Sequence, residues 1–183
     1  MLWLKQWRTS SSSPGLVHYL LVVIWLAGVL LAGYYFATQR LVEFDATGRL
    51  DKFSTSEFAG ALSLSEINAK ATRGKVYHFV EPNCRCNVFS KQHVDRLSVL
   101  AQAENFEIVV VSGQERLPDF VTSTPATLVL GEQNELVYFG PYAQGAFCNQ
   151  ASDVVELAIE NYQKGYNARL VNSKAQGCYC QRT

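Results

Sequence analysis

The first long hydrophobic segment of the chain carries no charged residue. Residues Leu16–Ala37 contain no Asp, Glu, Lys or Arg, and at about 1.5 Å per residue a helix of this length crosses the roughly 30 Å hydrocarbon layer of a bilayer. Tyr34, Tyr35 and Phe36 cluster at its far end, where amphipathic rings favour the membrane interface. A cleaved signal peptide is the alternative, but its apolar region normally covers about 7–15 residues, and no A-x-A-like cleavage site follows here. The pattern therefore predicts an uncleaved transmembrane helix over residues 16–37.

The charges on the two sides of this segment predict its orientation. Lys5 and Arg8 precede it, whereas Arg40 is soon followed by the acidic Glu43. Cytoplasmic segments carry an excess of Lys and Arg, so residues 1–15 are predicted to be cytoplasmic. The remainder of the chain would then lie outside the cytoplasm, where thiols are more readily oxidised.

The middle of the chain changes from a strand pattern to a helix pattern and back. Lys75–Val80 is a β-rich run, and Asn83 is placed to cap a helix over about residues 84–103. Helical spacing puts four side chains of that helix on one buried stripe: Phe89, His93, Leu97 and Leu100. Phe106–Val111 is nearly all apolar and β-branched, as expected for a strand covered on both faces. These patterns predict a strand–helix–strand unit.

A hairpin and a last helix are predicted next. Ala126–Leu130 and Leu136–Phe139 flank the turn sequence Gly131–Asn134, which is typical of an antiparallel hairpin. Ser152 can cap a helix over about residues 153–166. The apolar face of that helix would consist of five side chains: Val154, Val155, Ala158, Ile159 and Tyr162.

The segment from residue 38 to residue 73 has the least regular pattern. Residues 44–53 fit a short strand or hairpin, and residues 56–69 have mixed helical character. We interpret residues 38–73 as a lead-in to a domain predicted over residues 74–167. Residues 168–183 then form a tail that contains cysteines.

Composition narrows the function classes. The 16 Lys and Arg residues are balanced by 16 Asp and Glu residues, and a nucleic-acid-binding surface would need clustered basic residues. No Ser–His–Asp arrangement, phosphate-binding glycine loop or paired-carboxylate motif stands out, which disfavours hydrolase and nucleotide-binding functions. All the cysteines follow the predicted membrane helix: Cys84, Cys86, Cys148, Cys178 and Cys180. Their odd number leaves at least one thiol unpaired within a monomer.

The order of these elements and cysteines resembles the thioredoxin fold, an α/β domain with a central mixed sheet flanked by helices, here with an N-terminal transmembrane helix. In that family two cysteines, usually two residues apart, follow the first strand, and a cis X-Pro bond lies opposite them. The corresponding residues are Cys84-Arg85-Cys86, with one spacer residue fewer, and Thr124-Pro125. Membrane-tethered relatives serve in disulfide reduction, isomerisation and cytochrome maturation. The resemblance therefore implies a single-pass protein of the bacterial inner membrane with its C-terminal domain in the periplasm.

The resemblance also implies the chemistry: thiol–disulfide exchange with protein thiols or a redox partner protein, without a cofactor or a metal. Cys84 would attack as the thiolate, because a helix N-terminus and the charge of Arg85 lower its pKa. Cys86 would then resolve the mixed disulfide between Cys84 and the partner. The Thr124 backbone would pair with a partner's cysteine segment, with Pro125 beside the sulfurs. A single spacer residue closes a small ring, so a Cys84–Cys86 bond should form less readily than a bond across two spacers.

The remaining cysteines leave several interpretations open. If the second hairpin strand runs parallel to the first strand of the domain, Cys148 arrives near Cys84 and Cys86. Cys178 and Cys180 form a second Cys-x-Cys pair. This pair would either exchange with the first as a relay or hold a disulfide that pins the tail.

Two functions of other classes remain as alternatives. The first is a metal-binding module, such as a copper chaperone on this scaffold, because several cysteines can converge as thiolate ligands. The Cys-x-Cys spacing is unusual for zinc, and His93 would lie about 10 Å along the helix from Cys86, too far to share an ion. We therefore interpret His93 and His78 as packed core histidines. The second alternative is a non-catalytic assembly protein, in which both Cys-x-Cys pairs would tolerate replacement by Ser.

Overall fold

The computed structural model describes residues 15–60, 73–145 and 154–182, and the chain divides into the units Met1–Gln39 and Arg40–Thr183. Among the described residues the helices are α1 (Leu16–Arg40), α2 (Thr55–Gly60), α3 (Asn87–Ala103) and α4 (Val154–Gln163). The strands are β1 (Val42–Glu43), β2 (Gly74–Val80), β3 (Phe106–Ser112), β4 (Ser123–Thr124), β5 (Ala126–Gly131), β6 (Leu136–Gly140), β7 (Leu170–Val171), β8 (Gln176–Gly177) and β9 (Cys180–Gln181). Short 3-10 helices cover Leu50–Lys52 and Gln114–Arg116.

The N-terminal unit contains one long apolar helix. Within α1, Leu16–Ala37 is long and apolar enough to cross a membrane, and its side chains are exposed. Exposed apolar surface of this extent is unfavourable in water and is accepted by lipid. The helix is therefore compatible with the predicted single-pass anchor. Residues 1–14 of the segment predicted to be cytoplasmic lie outside the described residues.

The second unit is built on a mixed sheet of five strands in the order β3-β2-β5-β6-β7. Strand β2 is parallel to β3 and antiparallel to β5, while β6 is antiparallel to β5 and parallel to β7. The predicted strand–helix–strand unit and the predicted hairpin are thus confirmed. Since β2 and β6 are both antiparallel to β5, they run in the same direction, as predicted.

Each face of this sheet carries its own apolar cluster. Helices α3 and α4 pack on one face. The cluster between these helices and the strands includes Val76, Leu97, Ala101, Phe106, Val129, Val137, Tyr138, Val155 and Ile159. An aromatic cluster covers the other face and includes Tyr77, Phe79, Phe120, Leu128 and Phe139. The α/β architecture, with a mixed sheet between helices, follows from these two buried faces.

The segments before and after the sheet contribute to the aromatic cluster. Phe44 and Phe58 come from the segment predicted to be a lead-in, and Tyr179 comes from the tail; all three are buried. The ring of Phe44 meets that of Tyr179 edge-on, with 5.3 Å between centroids, a favoured aromatic geometry. Both chain segments are therefore part of the core of the second unit.

Helix α3 differs from its prediction at its start and along its buried stripe. It begins at Asn87 after Cys86, so Asn83 is not its cap. The buried residues are Ser90, His93, Leu97 and Ala101. Phe89 was predicted to be buried but is 43% exposed, since it lies at the margin of the face that meets the sheet. The prediction was wrong for Phe89 and right for His93 and Leu97.

Strand β3 also departs from expectation, because it was predicted to be covered on both faces. It lies at the edge of the sheet, next to β2 alone. Phe106 is buried in β3, but Val110 is 62% exposed. Its apolar β-branched sequence therefore fits an edge strand as well as a central one.

Helix α4 ends three residues before the predicted Tyr166. The amide of Gly165 donates to the carbonyl of Tyr162, and the amide of Tyr166 donates to that of Asn161. With a φ of +85° at Gly165, this is a Schellman arrangement, which closes a helix with a left-handed glycine. The predicted cap Ser152 lies outside the described residues.

Candidate functional site

Two consecutive turns place the first cysteine pair between β2 and α3. The amide of Cys84 donates to the carbonyl of Glu81 over 3.0 Å, and the amide of Asn87 donates to the carbonyl of Cys84 over 3.2 Å. The side-chain amide of Asn87 also donates to the Glu81 carbonyl at 2.7 Å. Cys86 therefore stands immediately before the helix, where unpaired N–H groups and the positive end of the helix dipole favour a thiolate.

Both cysteines of this pair are bonded to the tail. Cys84 forms a disulfide with Cys180, and Cys86 forms one with Cys178, with Cα–Cα distances of 5.8 Å and 5.6 Å. The bonded cysteines are 96 and 92 residues apart in the sequence, so both bonds join the segment before α3 to the tail. The two Cys-x-Cys pairs thus lie side by side, and each bond crosses from one pair to the other.

The residues of the two cysteine pairs differ in their exposure to solvent. Cys84 and Cys86 are only 6% and 7% exposed, whereas Cys178 and Cys180 are partly exposed. Arg85, between the first two cysteines, is exposed and places a positive charge at this end of the sheet. A thiolate arriving from solvent would therefore reach the tail sulfurs first.

The segment before Pro125 runs beside the disulfide of Cys84. The Thr124–Pro125 peptide bond is cis, which is the geometry that the family resemblance implies. Thr124 is paired with Cys180 in the antiparallel β4–β9 ladder, and the sulfur of Cys84 lies 3.5 Å from the carbonyl oxygen of Thr124. The structure thus brings Cys84 next to Thr124, as the resemblance implies, and adds Cys180 of the tail to them.

The hydroxyls of Ser123 and Thr124 are unusual in their burial. Both oxygen atoms are buried, and neither has a hydrogen-bond partner among residues 15–60, 73–145 and 154–182. A buried hydroxyl without a partner typically costs about 1–3 kcal/mol. Such a cost is therefore present directly beside the disulfides.

Non-covalent contacts hold the tail between its two cysteines and directly after them. The guanidinium of Arg182 donates to the carbonyls of Pro118 at 2.7 Å and Val121 at 3.0 Å. The hydroxyl of the buried Tyr179 donates to the carbonyl of Ala143 at 2.8 Å. These contacts fix the tail at the residue between its two cysteines and again close to its end.

Sequence reasoning missed Tyr179 and Arg182 as residues that position the site. The sequence offers a short local signal for Tyr179, because Ala175, Gly177 and Tyr179 stand at alternate positions and the polar Gln176 lies between the first two. That period of two is typical of strands, and in the structure Ala175, Gly177 and Tyr179 are buried and Gln176 is exposed. No local signal identified Arg182, whose partners are backbone carbonyls more than 60 residues away.

His78 of β2 is buried, and both nitrogens of its ring contact polar side chains. Its Nδ1 and the hydroxyl of Tyr142 are 2.5 Å apart, and its Nε2 lies 3.3 Å from Oγ of Ser98. Ser98 donates its own proton to the carbonyl of Val94, so Ser98 accepts from Nε2–H, and the Tyr142 hydroxyl donates to Nδ1. This network assigns a neutral tautomer to His78.

Burial lowers the pKa of His78 to about 4 and raises that of the Tyr142 hydroxyl, because the charged form of each would lose its hydration. His78 and His93 are both buried, as predicted for packed core histidines. Cys148 lies outside the described residues, so its predicted approach to Cys84 and Cys86 stays a prediction.

The sulfurs of Cys84, Cys86 and Cys180 lie within 4.8 Å of one another. Such a cluster supports two kinds of chemistry. As disulfides, its sulfurs can accept a thiolate from another molecule. As thiolates, they are soft ligands for a metal ion.

The sequence matches one family model, "Domain of unknown function (DUF6436)", over residues 55–182, a range that includes all five cysteines and Thr124-Pro125. A comparison with curated proteins finds no significant match. Among solved structures, the chain is similar to the crystal structure of a hypothetical protein from Sinorhizobium meliloti 1021. The TM-score is 0.48 with 14% sequence identity, over 72% of this chain and 85% of the other.

Proposed function

This chain belongs to the DUF6436 family, and we propose that its cysteine site carries out thiol–disulfide exchange with protein thiols, as an oxidoreductase or isomerase tethered to a membrane. The observation that carries the proposal is the bonding of Cys84 to Cys180 beside Thr124. A cysteine segment is paired there with the strand that precedes Pro125, as expected for an exchange partner. The tail thus provides an internal exchange partner for the first cysteine pair.

A thioredoxin-like fold is part of the same proposal. Three features support it: the order of β2, α3, β3, β5 and β6, the cysteines at the start of α3, and the cis bond before Pro125. With α1 as anchor, we place the second unit on the periplasmic face of a bacterial inner membrane. An oxidising compartment suits two disulfides that join distant parts of the chain.

The exchange step follows from the exposure of the cysteines. A partner thiolate attacks the sulfur of the partly exposed Cys180, the Cys84–Cys180 bond breaks, and Cys84 leaves as a thiolate near the N-terminus of α3, where Arg85 and the helix dipole stabilise it. The partner's second thiol, after losing its proton, attacks the mixed disulfide and releases Cys180. The partner dithiol loses two electrons and two protons, and Cys84 and Cys180 gain them.

In the reverse direction, the Cys84 thiolate is the attacking group and resolution uses Cys86 or Cys180. Cys86 and Cys178 form a second bond of the same kind. One chain therefore has the capacity to exchange two disulfides. A protein with two exchangeable disulfides can act as a relay, whereas a protein with one redox-active cysteine pair exchanges a single disulfide.

The test uses the full-length oxidised chain in detergent and a synthetic peptide with two reduced cysteines. After rapid alkylation, mass spectrometry measures how fast the peptide is oxidised and which protein cysteines become thiols. We expect up to two peptides to be oxidised per chain, with Cys84 and Cys180 among the released thiols. Cys84→Ser should slow the reaction at least tenfold, whereas Val99→Ser, at an exposed position of α3, should keep the wild-type rate.

An equal rate in the wild type and in Cys84→Ser would remove the central residue of this mechanism. If both Cys-x-Cys pairs can be replaced by Ser without loss of the cellular phenotype, the protein is instead the non-catalytic assembly protein. The two functions are thus separated by one set of variants.

A further inference from the structure

We propose that reduction of the two disulfides converts their cysteines into a thiolate site for Cu(I). The ligands are Cys84, Cys86 and Cys180, with Cys178 next to them. Each disulfide takes two electrons and two protons from a dithiol reductant to give two thiols, and the dithiol becomes a disulfide. This proposal concerns the reduced chain and does not depend on exchange with a partner protein.

The first argument is that the tail stays in place without its covalent bonds. Strand β9 is paired with β4, and the backbone amide of Arg182 donates to the carbonyl of Thr122 over 2.9 Å. Tyr179 remains packed against Phe44 in the core, and Gln176–Gly177 remains paired with β1. Reduction therefore leaves the thiols of the two pairs facing one another, and little ordering is needed when an ion binds.

The second argument is the separation of the sulfurs. The sulfur atoms of Cys84, Cys86 and Cys180 all lie within 4.8 Å of one another. Thiolates about 2.3 Å from a shared ion are roughly 4 Å apart. Once the bonds are broken, two sulfurs that were covalently joined must move to about this separation. Small side-chain rotations are then enough to complete the site.

The third argument concerns the identity of the ion. The cluster consists of sulfur ligands alone, and soft thiolates select Cu(I) and Zn²⁺ over Mg²⁺ or Ca²⁺. Structural zinc sites are almost always four-coordinate, with two to four residues between paired cysteines. Here each pair has a single spacer residue, and three sulfurs form the close group. These features favour Cu(I) over Zn²⁺.

The charges near the cluster also suit a monovalent ion with several thiolates. Three thiolates and one Cu(I) carry a net charge of −2. The exposed Arg85 and the N-terminus of α3 directly after Cys86 offset this charge. Partial exposure of Cys178 and Cys180 gives the ion a path from solvent.

The experiment uses the full-length chain in detergent, reduced with a dithiol, freed of the reductant and kept anaerobic. Cu(I) is added in competition with a coloured Cu(I) chelator, and Zn²⁺ is titrated into a parallel sample. We expect one Cu(I) per chain, with an ultraviolet thiolate-to-copper absorption band. Cys84→Ser and Cys180→Ser should each weaken binding at least tenfold, and Val99→Ser, at an exposed position of α3, should leave it unchanged.

Three results would overturn this proposal: no stoichiometric Cu(I) uptake by the reduced wild-type chain, uptake of Zn²⁺ but not Cu(I), or equal Cu(I) affinity in the wild type, Cys84→Ser and Cys180→Ser. The wild-type titration is decisive even if a variant fails to fold. Exchange is measured on the oxidised chain and copper binding on the reduced chain. Failure of one proposal is therefore distinguishable from failure of the other.

Discussion

Thr124 and Cys180 are opposite each other in the β4–β9 ladder, and Cys180 is at the same time bonded to Cys84. The chain's own tail thus occupies the position where the sequence analysis expected a partner's cysteine segment. A partner must therefore react with the tail or displace it.

The two disulfides should contribute to stability in a strongly non-additive way. Cys84–Cys180 closes a loop with a sequence separation of 96 residues, and closing a loop of this size stabilises by about 4–5 kcal/mol in the chain-entropy model. Once the large loop is closed by the first disulfide, the Cys86–Cys178 bond closes only a short ring made of the two Cys-x-Cys segments. Either disulfide alone should therefore retain most of the stabilisation.

The measurement is urea unfolding of three variants, each with paired Cys→Ser replacements: one without the first bond, one without the second and one without both. We expect losses of about 1–2 kcal/mol for each single removal and about 4–5 kcal/mol or more for the double removal. Cys148→Ser is the control. Two equal and additive losses of about 4 kcal/mol would contradict the shared-loop argument.

Arg182→Ala should loosen the tail when the disulfides are reduced. The guanidinium donates to the carbonyls of Pro118 and Val121, and loss of hydrogen bonds made by a charged group costs about 1.5–3 kcal/mol. Hydrogen exchange of the amides of residues 177–181 in the reduced chain should therefore accelerate at least tenfold. The same substitution should have a smaller effect in the oxidised chain, where the two bonds hold the tail.

Arg116→Ala, which removes an exposed arginine, provides the matched control and should leave these amides unchanged. Equal exchange in wild type and Arg182→Ala under reducing conditions would mean that the tail does not depend on this contact.

Thr124→Val should preserve stability or raise it by up to about 1 kcal/mol. The Thr124 hydroxyl is buried and has no partner in the described part of the chain, so an isosteric methyl group removes a desolvation cost. Thr127→Val is the control, since the Thr127 hydroxyl donates to the carbonyl of Tyr77 over 3.0 Å and its removal should cost about 1–2 kcal/mol. Thermal and urea unfolding compare the two; a larger loss in Thr124→Val would show that its hydroxyl is satisfied.

His78 should make the protein less stable in acid. The pKa of His78 is lowered to about 4 by burial, whereas an unfolded histidine titrates near 6.5. Between these values the unfolded chain binds more protons, so stability is fully present above about pH 6.5 and falls as the pH decreases toward 4. The total contribution is on the order of 3 kcal/mol.

In His78→Gln the side chain keeps a hydrogen-bonding capacity but does not titrate. Unfolding free energies at pH 7, 5.5 and 4.5 should therefore converge between wild type and variant as the pH falls. Parallel pH dependences would assign the acid sensitivity to other groups.

The elements of the fold that depend on local pattern were predictable from the sequence. The two apolar runs around a turn sequence in β5 and β6 and the helical spacing in α4 are properties of short segments, and the structure confirms them. Phe89 was misplaced because a helical period of 3.6 leaves residues at the margin of a stripe undecided.

The disulfide pairing and the docking of the tail were not predictable in this way. Four cysteines allow three connectivities, and spacing does not choose among them. Thr124 and Cys180 are paired across more than fifty residues, and Arg182 recognises backbone carbonyls, which every residue has. The sequence predicted that Cys84, Cys86 and the tail carry the chemistry; their arrangement depends on long-range contacts.

The burial of Tyr179 has a consequence for biosynthesis. A ribosome adds this residue and the two tail cysteines only after α3 and the five-stranded sheet, so these elements are synthesised before the ring that completes their aromatic core is available. Until then the nascent domain exposes Phe44 and its neighbours, and Cys84 and Cys86 have not yet met the cysteines to which they become bonded. Completion of the core and oxidation of the site thus depend on the same stretch of polypeptide, and a chain that stopped before Cys178 would lack both.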